Sequence, residues 1–430
     1  MRAFIFAACL TFCASPALAQ DYRLQTAAAA ELQQMCTADA GQLWNTSLCG
    51  PLLVVDANMR QVWATQRDNL GVLTLTAGGG WVGTLPQGVP VANTTVEWAG
   101  VRWIMVIGPL PEDATARRVL VAHESWHRIQ TSIGFPMQDA LAAHLESERG
   151  RYLLRLEMRA LSTAMLSNGR ARRNATSDAI AFRMARLAGD PEAPAAEAGL
   201  DRNEGLASYT GIRLGAGSQS HLFAARTLTA ADNNDAFARS YAYATGPAYG
   251  LLLDEYEPAW RTNLGAWAPA DLLVGPLRVQ PLSSRNLQRQ AERYGGPQIA
   301  AEERARAENQ RRVIAELQAR FTGPRLELPL AQMQFEFDPG KVTPVEGLGT
   351  VYQVVVVRDV WGELRADQGA LISPTFSLLT AATPNPGGVS GPGWRLTLNP
   401  AYLLTAPDGD GVVRPQLIPA PPPARRQPDN

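Results

Sequence analysis

One stretch constrains this chain more than any other: Val121-Ala122-His123-Glu124-Ser125-Trp126-His127. It reads His-Glu-x-x-His inside a helical pattern. Residues four apart share a helix face, so His123 and His127 can aim two imidazoles at one point. A single Zn²⁺ ion accepts such nitrogens at about 2.0–2.1 Å. Glu124, one step around the helix, falls beside the ion's open position, where a carboxylate can take a proton from an attacking water. These residue types imply metal-assisted hydrolysis, with a peptide bond as the first candidate.

The chain holds four histidines, and two of them fall into this spacing. An amphipathic helix with two hydrogen-bonded histidines would spell the same letters, but the flanking sequence argues for a zinc helix. Pro111-Glu112-Asp113 signals a helix start with acidic residues in its first turn. Val119, Leu120 and Ile129 supply apolar anchors, and Gly134 before Pro136 signals the end. The motif therefore lies mid-helix.

Residues 1–19 read as a secretory signal peptide: Arg2, an apolar run from Ala3 to Phe12, and the small-x-small site Ala17-Leu18-Ala19. Export to a bacterial periplasm or to the medium is the expectation. After cleavage two cysteines remain, Cys36 and Cys49, and a pair in an oxidising compartment predicts one disulfide. No later stretch is long and apolar enough to span a bilayer. The net charge of −1 implies no nucleic acid or membrane-surface partner.

The expected fold class is α+β. Residues 20–110 form a β-rich region: strands flank Asn58, Gly78-Gly79-Gly80 and Ala99-Gly100-Val101, all turn signals. Residues 111–283 are the helical zinc-binding region, in which Gly150 interrupts one helix and a Gly-rich loop follows at 211–217. Residues 284–325 read as a charged, solvated connecting helix with a narrow stripe of Val313, Ile314, Leu317 and Phe321. Strands return over 326–405 as a small β-domain, and 406–430 is a Pro-rich tail expected to be disordered.

Zinc needs a third protein ligand, and without a third well-placed histidine a carboxylate is the natural choice. Here the chain resembles the gluzincin metallopeptidases, in particular those similar to aminopeptidase N. His123-Glu124-Ser125-Trp126-His127 carries the likeness first. Asn203-Glu204-Gly205-Leu206-Ala207 is similar to the Asn-Glu-Gly-Phe-Ala stretch whose Glu binds zinc in that family. Tyr243-Ala244-Thr245-Gly246 is similar to the Tyr-x-Lys-Gly stretch whose Tyr stabilises the oxyanion.

The resemblance thus implies a zincin-like catalytic region and one zinc ion on His123, His127 and Glu204. It also implies Glu124 as general base, Tyr243 as oxyanion donor, and a peptide or protein substrate. Glu146 and Glu157 are rival third ligands; Glu146 matches the family's spacing, Glu204 its local sequence. The Gly-x-Met-Glu-Asn stretch that reads a substrate's free amine is missing, so internal and terminal cleavage both stay open. The acidic residue that often follows the zinc Glu is replaced by Ser208, which implies that the groups orienting the ligands come from elsewhere. A zinc hydrolase of another amide or an ester, or a silent peptide-binding protein on the same scaffold, are the alternatives.

Overall fold

The computed structural model of the chain describes residues 22–138, 140–338 and 340–419. The segment read as a signal peptide lies outside them, as does the end of the tail. The described residues are α+β and divide into two compact units between Glu303 and Arg304. No described helix is long and apolar enough to cross a membrane.

The first unit opens with α1 (Arg23–Asp39). Six strands follow: β1 (Leu52–Asp56), β2 (Gln61–Ala64), β3 (Thr74–Leu75), β4 (Trp81–Thr84), β5 (Thr94–Trp98) and β6 (Val101–Gly108). They form one sheet in the order β3-β4-β2-β1-β6-β5, with β1 and β6 parallel and the other neighbours antiparallel. The strands expected around Asn58 pair, and the hairpins expected at Gly78-Gly79-Gly80 and at Ala99-Gly100 both form. At the second, Ala99 and Gly100 take φ of 51° and 76°, the left-handed pair a two-residue turn requires. β3 is shorter than its sequence suggested. The central strands are apolar on both sides, as strands covered on both faces must be. Leu53, Val55 and Met105 pack into one cluster; Leu52, Val54 and Ile104 pack into another with Ala28, Leu32 and Val121 of the helices.

α2 (Ala114–Gln130) carries the His-Glu-x-x-His motif. Asp113 caps it, accepting from the Ala116 amide at 2.7 Å. The acidic residues thus precede the helix rather than fill its first turn. Then come α3 (Glu148–Leu166), α4 (Gly169–Leu187) and α5 (Ala193–Leu200). Gly150 does not interrupt a helix; it lies in the first turn of α3, where its amide donates to Ser147 Oγ at 3.0 Å. After α5 the chain makes one π-helical turn, Asp201–Gly205, and runs straight into α6 (Leu206–Gly215). α7 (Ser220–Ala231) and α8 (Tyr241–Tyr256) complete the helical layer.

The expected Gly-rich loop at 211–217 is for most of its length the end of α6. Its glycines serve helix packing: Ala207, Gly211 and Gly215, four apart, form a smooth face against α2. A Cβ at Gly211 would stand 2.6 Å from the Val119 carbonyl oxygen, and one at Gly215 would stand 2.5 Å from the Val119 nitrogen.

Cys36 and Cys49 are joined in a disulfide. The loop they close carries Trp44 into the core. Trp44 packs against Trp126 of α2, ring centroids 4.3 Å apart and planes tilted by 45°, and donates its Nε1–H to Thr210 of α6 at 2.9 Å. One side chain thus touches both helices.

The second unit begins at Arg304, inside helix Gly296–Thr322. The stretch expected to be one connecting helix is two, Ser284–Arg293 and Gly296–Thr322. Its apolar stripe is covered except at one end: Ile314, Leu317 and Phe321 pack with Val345, Val351 and Leu371, while Val313 stays exposed. A six-stranded sheet runs Val412–Val413, Arg325–Pro329, Leu378–Ala382, Ala370–Ile372, Gly349–Tyr352, Val342–Val345. A five-stranded sheet includes Trp394–Leu398, Gly362–Ala366 and Val355–Asp359. Leu328, Val357, Trp361 and Leu364 are buried in the core. Residues 406–419, expected to belong to a disordered tail, are ordered. Val412–Val413 extends a sheet beside Arg325–Leu326, and Pro415–Leu417 pairs with Tyr402–Leu404. Two buried valines repay the ordering that a polar tail could not.

Candidate metal centre

Four elements of the first unit meet at the site. α2 supplies His123, Glu124 and His127; the π-helical turn supplies Glu204; α6 supplies Ser208; α8 supplies Tyr243. The glycine face of α6 lets it lie close on α2, which brings Glu204 to the two imidazoles. His123 Nε2 and His127 Nε2 are 3.2 Å apart. Glu204 Oε2 stands 3.4 Å from the first and 3.5 Å from the second. Among the described residues these three form the group of ligand-type side chains able to hold an ion.

The hydrogen bonds around the group fix its proton positions. A carboxylate only accepts. Glu204 Oε1 accepts from Asn203 Nδ2 at 3.0 Å, so Asn203 presents its oxygen to Gln130 Nε2, 2.8 Å away. Gln130 then presents its own oxygen to His127 Nδ1 at 2.9 Å. That oxygen needs a proton, which fixes Nδ1 as the protonated nitrogen of neutral His127 and leaves a lone pair on Nε2. Ser208 Oγ lies 3.2 Å from His123 Nδ1, in place to do the same for the other ring. So Ser208, read in the sequence only as a replacement for an acidic residue, itself contacts one of the two candidate ligand rings.

With both rings protonated at Nδ1, three electron-pair donors converge and no proton lies between them. Ligand atoms about 2.0–2.1 Å from a tetrahedral ion stand roughly 3.3 Å apart, close to the separations found here. Glu204 Oε2 and Glu124 Oε2 are buried without a hydrogen-bond partner. A buried carboxylate oxygen left so costs about 1–3 kcal/mol or more. Both facts fit a divalent cation bound by His123, His127 and Glu204.

Glu124 is buried, with Oε1 3.9 Å from His123 Nε2. Burial raises its pKa above the usual carboxylate range; the two histidines oppose this and the charge of Glu204 adds to it. For Glu204 burial also acts upward, but the nearness of His123 and His127 outweighs it and holds the carboxyl well below that range. Tyr243 is half-exposed, its ring parallel to His123 within 6° at 5.7 Å. Burial of its hydroxyl, with the charges of Glu204 and Glu124, pushes the phenol upward, so it stays a donor. Pro247 lies four residues further along α8 and cannot donate to the Tyr243 carbonyl, which loosens the helix at that residue.

The rival ligands are engaged elsewhere. Glu146 accepts from the Phe237 and Ala238 amides at 2.6 and 2.9 Å. Glu157 is fully buried between Arg186 and Tyr249, whose hydroxyl donates to it at 2.7 Å. His144 pairs with Glu197 at 2.7 Å. Gln130 and Asn203 are the functional residues the sequence reading missed. The signal for Gln130 was its place three residues past His127, on the same helix face. Compared with family models, with curated proteins and with solved structures, the chain matches none of them.

Proposed function

We propose that this chain is an exported metallopeptidase of gluzincin type on a zincin-like catalytic region, with His123, His127 and Glu204 as zinc ligands and Glu124 as general base. The reading is carried by one observation: three ligand atoms converge beside a buried carboxylate oxygen that has no partner. A zinc ion there would supply Lewis acidity, polarising a carbonyl and lowering the pKa of a water toward about 7. Glu124 takes a proton from the water as its oxygen adds to the carbonyl carbon. It then passes that proton to the amide nitrogen, and the C–N bond breaks to leave an amine and a carboxylic acid. The protonated Tyr243 hydroxyl donates to the carbonyl oxygen as negative charge develops on it.

The placement of Glu124 supports a hydrolase over a silent binding protein, since a binder has no use for a buried carboxylate oxygen left without a partner beside the ligand group. The disulfide is compatible with export. The test is Glu124→Gln. Metal content and fold should persist while peptide hydrolysis falls by about 10²-fold or more. Undiminished turnover would remove Glu124 from the mechanism, and a wild-type protein that binds no zinc would remove the reading altogether.

A further inference from the structure

Two cavities meet at the site, and Glu204 and Tyr243 line both. The first, of about 340 Å³, holds the ligand group and Glu124 and continues into an apolar lobe. That lobe is walled by Ala116, Val119 and Leu120 of α2, Ile212 of α6, and Phe223 and Thr227 of α7. The second, of about 360 Å³, shares Glu204 and Tyr243 with the first and is lined otherwise by Met137, Gln138, Leu200, Asn203 and Arg239. Space therefore continues from Glu204 and Tyr243 into two cavities that differ in the rest of their walls.

Neither cavity is built to hold a chain end. Among the described residues lining the first, the charged or ionisable groups are those of the site itself. A terminal ammonium or carboxylate in the apolar lobe would be desolvated with no counter-charge of its own. In the second, Arg239 is exposed and already engages another group. It is no dedicated seat for a terminal carboxylate. The apolar lobe instead matches a large uncharged side chain, because apolar walls reward apolar area removed from water.

We infer that the substrate is an extended peptide cut internally, with the chain crossing Glu204 and Tyr243 and an aromatic or large aliphatic side chain next to the scissile bond seated in the Phe223–Thr227 lobe. This rests on the peptidase reading above. It adds two things to that reading: cleavage needs no free terminus, and side-chain choice is made by α7. Phe223 and Thr227, four residues apart, face the same lobe from one helix.

The test uses the full-length, zinc-loaded protein and a Gly/Ser-rich decapeptide with one central Phe, acetylated and amidated, beside the same peptide with free ends and a copy with Gly for Phe. Blocked and free peptides should be cut next to Phe with kcat/KM within about threefold of each other, and the Gly copy should be cut at least tenfold more slowly. Thr227→Phe and Leu120→Phe fill the lobe from different helices. Each should lower the Phe-to-Gly preference by tenfold or more, so a folding failure in one leaves the other to report. Cleavage of free-ended peptides alone, or equal rates for Phe and Gly, overturns the inference while leaving the peptidase reading intact. Binding supplies a readout independent of turnover. Zinc-loaded Glu124→Gln should bind the blocked Phe peptide at least tenfold more tightly than the Gly copy, and equal affinities overturn the inference even if no peptide is hydrolysed.

Discussion

Gly205 and Gly246 meet backbone to backbone: a Cβ at Gly246 would stand 2.7 Å from the carbonyl oxygen of Gly205. Gly205 closes the turn that carries Glu204, and Gly246 lies one helical turn past Tyr243 on α8. The contact sets the distance between a ligand and the phenol beside it. Gly246→Ala should destabilise the first unit by about 1–3 kcal/mol, as overpacking generally does. It should also weaken zinc binding, because Glu204 must shift to relieve the clash. Thermal melts with and without zinc check both, and a stable variant of unchanged affinity would show that the contact does not govern the ligand.

The chain His127–Gln130–Asn203–Glu204 ties two ligands to each other through two carboxamides. Gln130→Leu keeps the volume and breaks the chain twice. Zinc affinity should fall by roughly 10–100-fold, the usual cost of losing a group that orients a ligand. Gln130→Glu keeps the acceptor for His127 but sets a carboxylate against the Asn203 oxygen, so it should restore only part. Competition with a chromogenic chelator gives the affinities; equal binding by Gln130→Leu and wild type would leave the chain without a role.

Tyr243→Phe removes the hydroxyl and leaves the ring that lies parallel to His123. Zinc content should hold while kcat falls by about 10²–10³-fold with KM little changed, the pattern of a donor that acts on developing charge. A loss confined to KM would make Tyr243 a substrate-binding group instead.

Asp201 sits in the π-helical turn, fully buried, accepting from Arg183 at 2.8 Å. Burial pushes its pKa up to about 6, Arg183 opposing and Glu197 adding to the rise. The unfolded chain titrates it near 3.9. A carboxyl raised on folding stabilises fully below its unfolded pKa, and that contribution is lost as pH rises through the folded value. Urea unfolding of wild type and Asp201→Asn should therefore show wild type losing about 2–3 kcal/mol relative to the variant between about pH 4 and 7. A difference independent of pH would place Asp201's proton elsewhere.

Much of the scaffold was legible because it depends on local rules. The spacing of His123 and His127 determines which way two rings point on any α-helix. Ala99-Gly100 specifies a hairpin whatever surrounds it, and two cysteines beyond the segment read as a signal peptide imply a pair. What escaped is tertiary. Gly211 and Gly215 read as a loop because glycine weakens an isolated helix; only the nearness of α2 makes them helix-packing residues. Glu146 and Glu204 could not be ranked by spacing, since what separates them is that two backbone amides claim the first. Gln130 and Asn203 lie 73 residues apart and share a hydrogen bond that no periodicity announces. Val412 and Val413 read as tail because two residues are too few to signal a strand without the neighbour they join.

Trp44 has a consequence for where this centre begins and ends. It wedges between Trp126 and Thr210, and its own loop is clasped by Cys36 and Cys49. A fragment starting at Ala114 would possess every ligand and yet lack the pin that holds two of their helices together. The smallest autonomous form of the centre reaches upstream of Cys36, and any transplant into a foreign scaffold must carry that indole with it.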